Sequence, residues 1–146
     1  MNTLLIFIWV CAALVAASFW EAYAEGRNAW NATKNGWVLR ISKNVTLPAY
    51  HFYLFVVMFP LLLSLPLVVS GWDPKLFGVL VSAYFIGMIL EDFFWYVVNP
   101  VVKFKELFTE FSDYYPWIRI NGRKIIPLGY VINFCIALIS WYFLWR

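Results

Sequence analysis

Four stretches of this chain are apolar for long enough to cross a membrane as helices, which takes roughly 20 residues each. They cover residues 4–25, 50–69, 75–98 and 127–145. The first is apolar from Leu4 to Trp20 and continues as a helix through Glu21 and Glu25. The second contains Pro60 and Pro66, and a proline inside a helix predicts a kink there. Gly71-Trp72-Asp73-Pro74 reads as a tight turn into the third helix, with Asp73 as N-cap and Pro74 at the first helical position. The third helix stops at Asn99-Pro100, because the residue before proline is biased away from helix. The pattern predicts an all-α integral membrane fold, a four-transmembrane-helix bundle forming a single domain over residues 1–146. Ala22-Tyr23-Ala24 mimics a signal-peptidase site. However, Met1-Asn2-Thr3 carries no Lys or Arg and the apolar run is long for a signal peptide, so the first helix is expected to be retained.

The segments between these helices, 26–49 and 99–126, are patterned too. Trp37–Ile41 and Val45–Leu47 flank Ser42-Lys43-Asn44 and read as a short hairpin. Trp117–Ile120 and Arg123–Ile126 flank Asn121-Gly122, the strongest two-residue hairpin signal. An isolated hairpin is marginal in water, so the two are expected to pair into one small β-cap. Between Pro100 and Pro116, Val101, Phe104, Leu107, Phe108 and Phe111 fall at helical spacing, with Lys103, Lys105, Glu106, Glu110 and Asp113 opposite. That predicts an interfacial amphipathic helix. The chain shows no internal sequence repeat.

Composition agrees with a membrane chain. Of 146 residues, 64% are hydrophobic and 13% charged, against about 45–50% and about 25% in soluble domains. An ordinary soluble domain, a disordered chain and a nucleic-acid binder are excluded. Nine Trp and nine Tyr suit repeated contact with lipid headgroups. The net charge of +3 matters through its placement. Arg27, Lys34, Arg40, Lys43, Lys103, Lys105, Arg119, Arg123 and Lys124 fall in the two hairpin segments, leaving only Lys75 and Arg146 for the other side. The positive-inside rule makes the hairpin side cytoplasmic and both termini extracytoplasmic. The sequons Asn31-Ala32-Thr33 and Asn44-Val45-Thr46 are then expected to stay unmodified. Cys11 and Cys135, single residues inside helices, read as small apolar fillers.

The chemistry lies in the ionisable residues within the apolar stretches. Glu21 and Glu25 close the first helix, His51 opens the second, and Glu91 and Asp92 lie near the end of the third. Up-down topology brings all five to one end of the bundle. Glu91 lies about 24 Å along its helix from Lys75, at about 1.5 Å per residue. An unpaired carboxylate at such depth costs on the order of 2–3 kcal/mol. Apart from Lys75 at the start of the third, no Lys or Arg lies in the four stretches, so compensation must come from protons, a cation, or Arg27 or Arg40 reaching back from the edge. Glu21 and Glu25 share a helix face, which Ala13 and Ala17 are expected to extend as a close-packing stripe. Tyr84, Gly87, Glu91 and Trp95 form a second inward stripe, and Gly129, Asn133, Ala137 and Ser140 a third.

Carboxylates with one imidazole suit iron, manganese or zinc. The expected metal ligands are Glu21, Glu25, His51 and Glu91, with Asp92 as a second-sphere partner or proton relay and Glu91 and Asp92 as the catalytic pair. The Glu-x-x-His pair of di-metal bundles is missing, which favours a single metal ion. Trp20 and Trp95 are expected to contact a bound cofactor or cation, and Tyr50, Tyr53 and Phe94 to add ring faces around the acids.

Leu90-Glu91-Asp92-Phe93-Phe94 resembles the acidic-aromatic segment of small integral-membrane carotenoid cyclases. The resemblance covers five residues and implies metal-free lipid isomerisation or cyclisation, through acids that stabilise a developing carbocation. The leading expectation is a membrane metal-binding protein or metalloenzyme acting on a lipophilic small molecule in the membrane lipid. The rivals are proton or cation handling and an accessory subunit that docks on a protein partner in the membrane. No nucleic-acid partner is expected.

Overall fold

The computed structural model describes residues 2–29, 36–41 and 46–146. Lys34, Lys43, the first sequon, Asn44 of the second and the predicted loop Ser42-Lys43-Asn44 lie outside these residues. Four helices are long and apolar enough to cross a membrane: α1 (Thr3–Glu25), α2 (Ala49–Ser70), α3 (Pro74–Val98) and α4 (Leu128–Trp145). Their starts follow the local signals. The Asn2 side chain accepts from Leu5 N–H at 3.0 Å, and Asp73 accepts from Lys75 and Leu76 N–H at 2.8 and 3.3 Å with Pro74 at the first position. These caps satisfy amide donors that have no partner within the helix.

α3 is the axis of the bundle, and α1 and α4 pack closely along it. An added Cβ on Gly87 would stand 2.2 Å from Leu14 Cδ1, and one on Gly78 only 2.5 Å from Leu144 Cβ. Both glycines therefore let a neighbouring helix approach closely. Hydroxyls add to the α3–α4 seam. Ser82 donates to the Ala137 carbonyl at 2.8 Å, Ser140 to the Gly78 carbonyl at 3.0 Å, and Trp145 Nε1–H to Ser82 Oγ at 2.8 Å. The predicted stripe on α4 thus faces inward at Ala137 and Ser140, and the one on α3 at Gly87, Glu91 and Trp95.

The stripe predicted for α1 differs. Ala13 is exposed, and the buried face is Val10, Cys11, Leu14, Ser18, Glu21 and Ala22. At 3.6 residues per turn, eight residues back from Glu21 is about 80° around the helix, whereas Leu14 is about 20° away. Repeated steps of four drift off the face, and only mixed steps of three and four stay on it. Cys11 is a buried filler as expected, while Cys135 is exposed.

α2 departs from a regular helix where Pro60 demands it. One α turn (Ala49–His51) widens into a π segment (Phe52–Met58) before α geometry resumes (Phe59–Ser70). Phe59 N–H bonds to the Leu54 carbonyl. The next rung would join the Phe55 carbonyl to residue 60, and proline has no N–H to give. The Tyr84 hydroxyl of α3 donates to that carbonyl instead. The predicted disturbance at Pro60 is therefore a π segment on its N-terminal side, bonded across to the neighbouring helix.

Both hairpins form. β1 (Val38–Arg40) pairs with β2 (Thr46–Pro48), and β3 (Trp117–Ile120) with β4 (Arg123–Pro127). Asn121 (φ +50°) and Gly122 (φ +77°) supply the two left-handed residues of the second turn. They do not merge into one sheet: each is a separate two-stranded ribbon. The second hairpin finds its partners in the strap that precedes it. Lys124 Nζ donates to the Thr109 carbonyl and to Ser112 Oγ, and Trp117 Nε1–H donates to the Ser112 carbonyl at 2.9 Å.

That strap is not the predicted amphipathic helix. It consists of two short 3₁₀ turns, Phe104–Phe108 and Glu110–Ser112. Val102, Leu107 and Ser112 point inward, while Val101, Phe104 and Phe108 point out. Val102 and Leu107 join Ala22, Trp95 and Tyr96 in a hydrophobic cluster at the hairpin end of the bundle. Burying these two side chains outweighs keeping the five apolar residues on one helical face.

Candidate functional site

The site forms where four helix ends meet the hairpins. Asn99 fixes two of them. Its Oδ1 accepts from Val101 and Val102 N–H, which turns the chain out of α3, and its Nδ2 donates to the Gly26 carbonyl at 2.8 Å. Gly26 closes α1 at φ +58°, in the left-handed region open to glycine. The helix stop at Asn99-Pro100 therefore also ties the end of α3 to the end of α1. This sets Glu21 and Glu25 beside Glu91 and Asp92.

The hairpins position the other two helix starts. Ala49 N–H donates to the Trp37 carbonyl at 2.9 Å, and Leu128 N–H to the Pro116 carbonyl at 2.8 Å. Each hairpin thus runs through a buried proline, Pro48 or Pro127, directly into a helix. The third residue after each proline faces the acids: His51 in one case, Tyr130 in the other. His51 Nε2 lies 3.0 Å from Glu21 Oε1. Tyr130 donates to Asp92 Oδ2 at 2.6 Å, and Tyr115 donates to Asp92 Oδ1.

Glu21, Glu25, His51, Glu91 and Asp92 all line one cavity of about 270 Å³. Ligand atoms of Glu21, Glu25 and His51 lie within 4.8 Å of one another. Glu91 is 5% exposed, its carboxyl is in hydrogen-bond reach of Glu21, and its Oε1 is buried without a hydrogen-bond donor. Glu21 Oε1 is likewise buried and has ion-pair proximity to His51 without hydrogen-bond alignment. Two buried carboxyls this close need a proton or a cation between them. The donor set of carboxylates and one imidazole therefore fits a divalent ion such as iron, manganese or zinc.

Arg27 does not reach back into this cluster. It turns outward and forks onto Glu106, with N–O distances of 3.2 and 2.7 Å, and also donates to the Val101 carbonyl. The guanidinium, helped by the Lys103 backbone N–H, holds the Glu106 carboxyl down at about 2. Arg40 lies on an exposed strand. Among the described residues, no Lys or Arg lines the cavity.

The aromatic expectations divide. Trp95 lines the cavity and its Nε1–H is buried without an acceptor. Trp20 is 58% exposed and lies on the outer face of α1, away from the cavity. It precedes Glu21 by one residue, about 100° around the helix. Tyr53 is also exposed, packed edge-on against Trp37, and Phe94 does not line the cavity. Tyr50 stacks beside His51 at 4.3 Å between ring centroids, and its hydroxyl is buried without a hydrogen-bond partner.

Sequence reasoning missed the tyrosines. Tyr114, Tyr115 and Tyr130 line the cavity, and Tyr96 and Tyr114 share a hydrogen bond of 2.6 Å. Burial, and then the charge of Asp92, pushes the Tyr115 hydroxyl well above its usual range. It stays protonated and acts as a donor. The available signal was positional: Tyr130 follows Pro127 at the interval by which His51 follows Pro48.

No family model matches the chain, and no curated protein or solved structure matches it either.

Proposed function

We propose that the chain is a multi-pass integral membrane metalloprotein whose carboxylate–histidine site acts on a lipid-phase substrate. Membrane insertion is supported by the four long apolar helices and by the outward-facing Leu61, Leu62, Leu65, Val68 and Val69 of α2. The concentration of Lys and Arg at the hairpin end favours a cytoplasmic position for the site and extracytoplasmic termini. The observation that carries the metal reading is the mutual approach of Glu21, Glu25 and His51 within 4.8 Å in a cavity that, among the described residues, no Lys or Arg lines.

In this reading Glu21, Glu25, His51 and Glu91 hold the ion. A bound ion would supply Lewis-acid or redox chemistry at the cavity wall. The chain's own contribution is to exclude bulk water, orient the substrate against Trp95, and move a proton through Asp92. Two tyrosine hydroxyls steer the carboxyl of Asp92, and in this reading it exchanges a proton with Glu91.

Elemental analysis of the detergent-purified protein tests this. The expected result is about one equivalent of iron, manganese or zinc, lost in Glu91→Gln and in His51→Ala. A wild-type protein that holds no metal, even after reconstitution with each ion, overturns it. The Tyr115–Asp92–Tyr130 clamp supports a second reading for that outcome: metal-free acid catalysis of lipid isomerisation or cyclisation, in which Asp92→Asn abolishes turnover.

A further inference from the structure

The carboxylate cavity adjoins a second cavity at its apolar end. It shares His51, Phe55 and Met88 with an apolar cavity of about 420 Å³ between α2 and α3. That cavity shares Pro60, Tyr84 and Phe85 with a third, of about 260 Å³, which reaches Leu67 and Phe77 near the far turn. The three lie in series between α2 and α3, each sharing wall residues with the next, and together mark out a file. From His51 to Leu67 it runs sixteen residues along α2, about 24 Å at about 1.5 Å per residue. One end is apolar but for Ser64 and Tyr84, and the other carries four carboxyls, a histidine and tyrosine hydroxyls.

We propose that this file binds a single-chain lipid, its hydrocarbon tail between α2 and α3 and a hydroxyl or amine head in the carboxylate cavity. The inference rests on the lipid-phase reading above and gives it a substrate class. Charge selects the head. Glu21, Glu25, Glu91 and Asp92 line the cavity, and among the described residues no Lys or Arg does, so an anionic head finds no cationic partner there. Geometry selects the tail. The Tyr84 hydroxyl bonds the Phe55 carbonyl across the file, which holds α2 to α3. A partner helix, about 10–12 Å across with its side chains, does not fit between them. The π segment upstream of Pro60 lies at the junction of tail and head, since Phe55 belongs to it and lines the cavities on both sides.

Photolabelling of the full chain in detergent tests this. The probes are a long-chain primary alcohol, amine and carboxylic acid of equal length, each with a diazirine near the chain end, mapped by peptide mass spectrometry. The alcohol and amine are expected to label residues 63–67 and 77–85, and the acid several-fold less. Val81→Trp, which fills the far part of the file, is expected to remove most of that labelling while metal content stays at the wild-type level. Leu67→Trp, from the opposite wall, repeats the test should Val81→Trp fail to fold. Labelling spread evenly over the outer faces of all four helices means ordinary boundary lipid and overturns the proposal. Equal labelling by the acid overturns the head assignment. A protein with no metal but with selective, Val81→Trp-sensitive labelling defeats the metal reading and sustains this one.

Discussion

Residues 3–70 and residues 74–145 follow the same plan: a long helix, a hairpin that ends in a buried proline, and a second long helix. In each half an acid near the end of the first helix meets the third residue after that proline, Glu21 with His51 and Asp92 with Tyr130. The residue identities show no repeat, but the order of elements is duplicated. The halves differ in how the second helix meets α3. α4 is seated by Gly78, by the Ser82 and Ser140 hydroxyls and by Trp145. α2 meets α3 across an open file bridged by Tyr84. A helix that must close a core uses glycine and small hydroxyls. Here α2 keeps its backbone further from α3 and meets it through larger side chains, among them Phe55 and Leu67, with Tyr84 as a bridge.

Two substitutions test that contrast in stability, and the larger effect is expected at the closed seam. Gly78→Ala forces a Cβ against Leu144 Cβ, both near the backbone, and is expected to cost about 1–3 kcal/mol in a reversible detergent-unfolding titration. A loss below a few tenths would show that α4 yields freely and that the two seams do not differ. Tyr84→Phe leaves the Phe55 carbonyl without its donor and is expected to cost about 0.6–1.7 kcal/mol. Faster hydrogen exchange should then appear around residues 52–60 and not in α4. Uniform acceleration across the bundle would place Tyr84 in the general core.

The smallest effect concerns the strap that precedes the second hairpin. Glu106 titrates at about 2 when folded, below its ordinary value of 4.5, so its tie to Arg27 stabilises above about pH 4.5 and is lost as the pH falls towards 2. Exchange of the amides at residues 101–109 should rise over that window, with the helices unaffected. Protection that stays flat there would mean that the strap is held by Leu107 and Val102 alone.

Local signals carried much of the architecture. The helix lengths, the Asp73–Pro74 start, the Asn99–Pro100 stop and the Asn121–Gly122 turn each depend on a few adjacent residues, and each appears as the sequence implies. The convergence of Glu21, Glu25, His51, Glu91 and Asp92 was legible too, because up-down topology leaves helix ends little choice of level. What failed were readings that depended on facing. The Ala13–Ala17 stripe, Trp20 at the site, the merged β-cap and the amphipathic helix all required knowing which neighbour stood opposite. At about 100° per residue, one position changes the neighbour.

The sequence by itself determined how many apolar helices there are, where they begin and end, and that their acids share one end. Those properties follow from hydrophobicity, capping and proline chemistry, which act within a few residues. Only the tertiary structure decided that Arg27 spends its charge on Glu106, that Tyr115 and Tyr130 clamp Asp92, and that a groove between α2 and α3 runs into the site. Each of these joins residues far apart in the chain, such as Tyr84 and the carbonyl that Pro60 leaves without a donor, and such pairings are settled by packing.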